Sequence, residues 1–321
     1  MSAPTLYISR LLPDPVMTAA RRQFQLINDP RDASPSWDAV RTGLREADAA
    51  ICTLTDRVDA SMLAEATRLK ILANYAVGYN NVDLAAAKAR GIVVTNTPDV
   101  LTDATADLTW ALLLAVARRV AEGDAYVRSG DWSGWAPTQM LGTDVAGKTL
   151  GIVGMGRIGQ AMAQRATGFN MRIRYTSRMG TALEQLPSQW ESRTLPDLLK
   201  EADFVSLHVP LNHATHHLIG ARQFALMKPT AYLINTARGP VIDEAALVDA
   251  LLQRRLAGAG LDVFEQEPAF HPSLRELRQV VLLPHLGSAT LATRVRMGMI
   301  CLENIAAVVA GKPAPNQVQL T

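Results

Sequence analysis

Short runs of β-branched and aliphatic residues alternate with stretches of helical spacing along most of this chain. The first third carries five such runs, LYIS (6–9), FQLI (24–27), AAIC (49–52), KILAN (70–74) and IVVTN (92–96). Six more follow: TLGIVG (149–154), MRIRYT (171–176), FVSLHV (204–209), AYLINTA (231–237), GAGLDVF (258–264) and VVLLPH (280–285). Strands alternating with helices are the pattern of parallel sheets with crossover connections. Two groups of strands predict two separate sheets, hence an α/β chain with two doubly wound, parallel-sheet domains.

Between the groups lies TDATADLTWALLLAVARRVAEG, read as one long helix with Thr102 or Asp103 capping its first turn. Its wide apolar face predicts burial, against another subunit. SGDWSGWAPTQMLG (129–142) is loop-like in composition. The last helix, about 290–311, stops at Gly311 with Pro313 beyond it.

Bulk properties narrow the function classes. A chain of 321 residues has room for two cores. The formal charge of +2 is spread out, and the basic clusters are as short as Arg118-Arg119 and Arg254-Arg255. Neither a nucleic-acid surface nor a polybasic membrane patch is expected. The apolar run 110–117 is far shorter than the ~20 residues of a membrane span, and the N-terminus lacks a signal-peptide core. Cys52 and Cys301 sit in apolar settings without metal-ligand spacing, as buried thiols in a reducing compartment do. The expectation is a cytoplasmic protein.

TLGIVGMGRIGQAMAQRA joins a strand, a glycine turn and a helix. Gly154 makes the tight turn, Gly156 lets backbone approach a pyrophosphate, and Gly159 lets helix and strand pack closely. The residues between them, Met155, Arg157 and Ile158, belong to the same phosphate-binding turn, whose N–H groups and helix dipole favour an anion. At the tip of the next strand a carboxylate would hold a free ribose 2′-hydroxyl and repel a 2′-phosphate. Here the tip reads Ser177-Arg178. A hydroxyl and a guanidinium can both donate to a 2′-phosphate, which favours NADP(H) over NAD(H).

Three later strands each run into a candidate functional residue: Arg238 in INTARGPVIDEAAL, Glu267 in GLDVFEQEPAF and His285 in VVLLPHLGSAT. Ligands of open parallel sheets bind outside the carboxyl ends of the strands, so these residues are expected on the edge that the glycine turn marks.

With NYAVGYNNVD, GIVVTNTPDVLTDATADLTWALLLA and GKTLGIVGMGRIGQAMA, these segments resemble the D-isomer-specific 2-hydroxyacid dehydrogenase family over essentially the full length, and within it the glyoxylate/hydroxypyruvate reductases. The resemblance implies a Rossmann coenzyme domain (101–288) inserted into a flavodoxin-like substrate domain (1–100 and 289–321), with closure over substrate. It implies reduction of a small 2-oxo acid in a homodimer. His285 would be the proton donor, Glu267 would pair with it and raise its pKa, and Arg238 would grip the substrate. Val77 and Gly78 would offer amides to the substrate carboxylate, and Leu54 in the 53–56 loop would narrow the pocket. Thr105, Thr236, Ala237, Asp262 and Gly287 would line the cofactor, and Trp135 would reach a neighbouring subunit's site. A D-lactate or bulkier 2-oxo acid dehydrogenase and a non-enzymatic dinucleotide sensor are the alternatives. Glutamine replaces the glutamate in the related formate dehydrogenases, so Glu267 argues against formate. His213, His216 and His217 in LNHATHHLIG could in principle bind zinc, but are read with His208 and His271 as structural, with no metal expected.

Overall fold

The computed structural model describes residues 3–177 and 186–319. The chain forms two compact units, residues 1–101 with 288–321, and residues 102–287.

The first unit is built on five parallel strands, β1 (Thr5–Ile8), β2 (Gln25–Ile27), β3 (Ala49–Cys52), β4 (Ile71–Asn74) and β5 (Val93–Thr95), in the order β2-β1-β3-β4-β5. That is the flavodoxin-like order. Successive side chains leave a strand on opposite faces. Leu6 and Ile8 therefore join one core with Val16, Met17, Ile71 and Ile305, while Tyr7 joins the other with Val40, Leu44, Cys52 and Leu72. Helices α1 (Asp14–Gln23), α2 (Trp37–Glu46), α3 (Ala60–Glu65) and α4 (Leu84–Ala89) are the crossovers. Polar side chains start three of them: Ser36, Asp59 and Asp83 each accept backbone N–H groups of the first turn. Cys52 and Cys301 are buried free thiols.

The second unit begins with α5 (Thr102–Ala117) and α6 (Val120–Arg128). The single long helix expected here breaks at Arg118-Arg119, where Arg119 adopts left-handed backbone (φ 54°) and ion-pairs with Glu122. The apolar face of α5 is buried, but against its own unit. It packs on α7 (Arg157–Ala166) and on β10 (Tyr232–Asn235) and β11 (Gly258–Leu261), with Trp110 stacked on Phe169. The sheet is completed by β6 (Thr149–Val153), β7 (Arg172–Thr176), β8 (Glu191–Ser192), β9 (Phe204–Leu207) and β12 (Val280–Leu282), in the order β12-β11-β10-β9-β6-β7-β8, all parallel. The two-residue edge strand β8 has no apolar pattern to announce it. It is secured by ion pairs, with Arg174 and Arg193 each bridging Glu191 and Glu201 of α8 (Leu195–Glu201). Among the described residues no helix is long and apolar enough to cross a membrane.

His208 follows β9, its Nε2 2.8 Å from Ser206 Oγ. Burial lowers its pKa from 6.5 to about 4. A histidine kept neutral by the fold costs stability once the unfolded chain can protonate it. Stability should therefore fall as pH drops below 6.5 and level off only below the folded value. The residue retains some solvent contact, so the expected loss from this group between pH 7 and 5 is about 1 kcal/mol. Urea unfolding at both pH values checks this: His208→Gln should show a correspondingly shallower pH dependence than the wild type.

Candidate functional site

The glycine turn lies between β6 and α7. Gly154 has φ 101°, a conformation that side chains disfavour, and its N–H donates to Thr176 O of the neighbouring strand. A Cβ on Gly156, the residue before α7, would meet nothing within 4 Å. Open space therefore faces the backbone where the first N–H groups of α7 begin; Arg157 and Ile158 open the helix there, while the Met155 side chain is buried in the core instead. A pyrophosphate fits this arrangement. Gly159 is required by contact: a Cβ there would lie 2.2 Å from Gly154 O. Ser177 directly follows β7, and Arg178 lies outside the described residues.

The other cofactor candidates form a buried hydroxyl chain. Thr109 Oγ1 donates to Thr105 O (2.7 Å), so its 2.8 Å contact with Thr236 Oγ1 must use the hydrogen of Thr236. Thr105 Oγ1 donates to Gly287 O (3.1 Å). This ties α5 to the loops after β10 and β12. Sequence reading missed Thr109, although its place four residues after Thr105 on an otherwise apolar face was the available signal.

The three chemical candidates follow β10, β11 and β12 on one sheet edge. After β10, Asn235 shapes the loop: its Oδ1 accepts Ala237 N–H and its Nδ2 donates to Arg238 O (both 3.0 Å). Gly239 then presses on the turn after β11 so closely that a Cβ would lie 1.8 Å from Phe264 O. After β11, fully buried Asp262 accepts the N–H groups of Leu286 (2.6 Å) and Gly287 (2.8 Å), folding back the loop that carries His285. His285 has φ 55° and donates its own N–H to Asp262 O. Its Nδ1 lies 2.8 Å from Glu267 Oε2, while Glu267 Oε1 accepts Phe264 N–H (3.1 Å).

Electrostatics separate the two acids. Burial favours the neutral form of Glu267, but its bond to His285, that residue's charge, Phe264 N–H and Arg238 outweigh it and hold the carboxyl below its usual range. Burial wins at Asp262, whose pKa is raised despite its amide donors and His285. Burial also lowers the pKa of Arg238 against the pull of Glu267, although a guanidinium stays charged regardless. An ionised Glu267 only accepts, so Nδ1 of His285 carries hydrogen and Nε2 is left for chemistry.

In the first unit, Leu54 is half-buried in the loop after β3, and Val77 and Gly78 lie in the turn after β4. Their carbonyls are held, Val77 O by Asn96 Nδ2 and Gly78 O by Asn74 Nδ2 (both 2.8 Å). Among the described residues neither amide has an acceptor, which leaves two adjacent N–H groups for an anion. Trp135 is 82% exposed on its loop in the second unit. His217 is engaged, with Nε2 2.7 Å from Glu265 Oε1 and its ring stacked on His216. Among the described residues no group of three or more His, Cys, Asp or Glu could hold a metal.

Comparison with known proteins identifies the frame. The family model described as D-isomer specific 2-hydroxyacid dehydrogenase, NAD binding domain, matches residues 110–287. The chain belongs to the D-isomer specific 2-hydroxyacid dehydrogenase family. It is 49% identical to a glyoxylate reductase of Thermococcus litoralis, covering 98% of this chain and 96% of the relative. A Thermus thermophilus structure superposes with a TM-score of 0.91 at 46% identity, covering 98% and 100%. An NADPH-dependent glyoxylate/hydroxypyruvate reductase from Sinorhizobium meliloti, solved with NADP and malonate, matches at 0.88 and 33% identity, covering 99% and 97%.

As in other members of this dehydrogenase family, the second unit is an NAD(P)-binding domain. Gly159→Ala should push α7 off β6. Its expected cost is ~1–3 kcal/mol of stability, with dinucleotide affinity falling about tenfold as the α7 N–H groups shift. Thermal unfolding and a fluorescence titration check the two effects; unchanged affinity would mean that the close contact does not set the turn.

Proposed function

We propose that this enzyme reduces glyoxylate to glycolate, and hydroxypyruvate to D-glycerate, with NADPH preferred over NADH. The observation that carries the chemistry is the His285–Glu267 pair, 2.8 Å apart, on the sheet edge that also bears Arg238 and the glycine turn. When bound, the reduced nicotinamide supplies a hydride to C2 of the substrate. Arg238 holds the substrate carboxylate and C2 oxygen in its planar fork, which orients C2. Val77 and Gly78 offer their amides to the substrate carboxylate, and Leu54 limits the side chain accepted. As charge grows on the C2 oxygen, His285 delivers the Nε2 proton, and Glu267 steadies the ring through Nδ1.

On the cofactor, Gly154 to Gly159 take the pyrophosphate. Ser177 and Arg178 take the 2′-phosphate. Thr105, Thr236, Ala237 and Gly287 would line the nicotinamide, and Asp262 would face its carboxamide. The names of the relatives and the paired acid–imidazole geometry support this reading.

Steady-state kinetics with a panel of 2-oxo acids and both reduced cofactors test it. Glyoxylate with NADPH should give the highest kcat/KM, and a preference for pyruvate or bulkier acids would reassign the substrate. His285→Ala should lower kcat by about 10²–10⁴-fold with NADPH affinity retained; a variant keeping most of its kcat would remove His285 as the acid. Arg178→Ala should cut the NADPH-over-NADH ratio about tenfold, the worth of one charge-assisted contact. An NADH preference in the wild type that this substitution leaves unchanged would overturn the cofactor assignment.

We further propose a homodimer. Helix α6 buries none of its residues, and Val120, Val127, Trp132, Trp135 and Leu141 are each more than half exposed. Trp135 is assigned to the partner's substrate site. Light scattering should give twice the chain mass at micromolar concentration; a monomer would withdraw both statements.

A further inference from the structure

The strand order of the first unit places a second switch point in the molecule. The connections from β1 to β2 and from β2 to β3 run to opposite sides of β1, so a crevice opens outside the ends of β1 and β3. Ser9 follows β1 and Thr53 follows β3. Asp56, 4% exposed, joins them. Its Oδ2 accepts Ser9 Oγ–H, Thr53 N–H (2.6 Å) and Thr53 Oγ1–H (3.0 Å).

The same loop is tied to the turn after β4 by a pair of asparagines. The two hydrogens of Asn81 Nδ2 are shared among Thr53 O, Asp56 O and Asn74 Oδ1, each 3.1 Å away. In return Asn74 Nδ2 donates to Asn81 Oδ1 (3.2 Å) and to Gly78 O (2.8 Å). Val58 N–H closes the far side on Asn81 O (2.8 Å). One amide thus grips both ends of the segment that displays Leu54, and its partner amide grips Gly78, whose N–H has no acceptor among the described residues. Loops of this kind are ordinarily the mobile part of an α/β domain. Here each carbonyl that would let the two segments drift apart already has its donor, and removing the donor leaves it unsatisfied.

We infer that Asn81, with Asp56 and Asn74, is a positioning residue for substrate selectivity: it fixes the distance between Leu54 and the Val77–Gly78 amides, and so the length of side chain a 2-oxo acid can carry. This rests on the proposed binding of substrate by those residues. A pocket held at one width rejects a longer chain by overlap, whereas a slack one admits it while gripping the small acid less well.

The test compares kcat/KM for glyoxylate with that for 2-oxobutanoate and phenylpyruvate in the wild type, Asn81→Ala and Asn81→Asp. Both substitutions should lower the ratio of small to large substrate by about tenfold, the scale of a methylene-sized discrimination. The KM for NADPH should stay within about twofold, since the dinucleotide turn is in the other unit. In a Leu54→Ala background the Asn81 substitutions should change the ratio no further, because the side chain they position is gone. A ratio unchanged, or all substrates falling by a common factor, would show the amides to be only structural and overturn the inference. Thr53→Ala removes one half-exposed hydroxyl from Asp56 and decides the matter should the Asn81 variants not fold. A smaller shift in the same direction supports the inference, and no shift overturns it. Should the wild type fail on glyoxylate yet reduce other 2-oxo acids, the proposed substrate falls, and the ratio of 2-oxobutanoate to phenylpyruvate carries the same test.

Discussion

Two hydrogen bonds to a buried carboxylate hold the reactive end of this enzyme together. Asp262 accepts Leu286 and Gly287 N–H groups, and the loop beyond β12 turns back as a result. His285 is thereby carried into left-handed backbone, uncommon for residues other than glycine although histidine adopts it more readily than most. That turn sets Nδ1 against Glu267, and Thr105 fixes the same loop from the helix side through Gly287 O. Without the carboxylate under the loop, only the Thr105 contact to Gly287 O and the backbone bond from His285 N–H to Asp262 O would tie this loop down.

The acids around His285 divide the electrostatic work. Glu267 stays below the ordinary carboxylate range because His285, Phe264 N–H and Arg238 together exceed its burial cost. Asp262 moves the other way because burial outweighs its two amide donors and His285. Two carboxylates near one imidazole thus acquire different characters from their surroundings, one an anchor for the ring and one a support for the chain. Arg238 adds positive charge on the adjacent loop, brought in by the contact of Gly239 with the Phe264 backbone.

Both sheets contain a switch point of the kind at which parallel sheets bind ligands. In the second sheet the order reverses between β6 and β9, beside the glycine turn. In the first it reverses between β1 and β3, beside Asp56 and the Asn74–Asn81 pair. The units solve the same problem differently. The coenzyme unit uses glycines, because backbone must come close to a phosphate. The other uses side-chain amides, because two loops must be held apart by a set amount.

Much of this was legible in the residues. Eleven strand runs were readable because parallel strands are locally apolar, and the glycine turn because its spacing encodes a backbone shape. Arg238, Glu267 and His285 stood out because each follows such a run. The break between α5 and α6 and the strand β8 were not legible. The first depends on one residue's backbone and an ion pair, and the second on four charged side chains, Arg174, Glu191, Arg193 and Glu201. Nor could the sequence disclose what Asp262, Thr109, Asn81 and His217 touch, since their hydrogen-bond partners lie from 4 to 127 positions away along the chain. Periodicity and motif spacing are local quantities, and they determined the elements and the chemistry available. Which loop each polar group holds in place is a matter of through-space contact, and only the folded chain decided it.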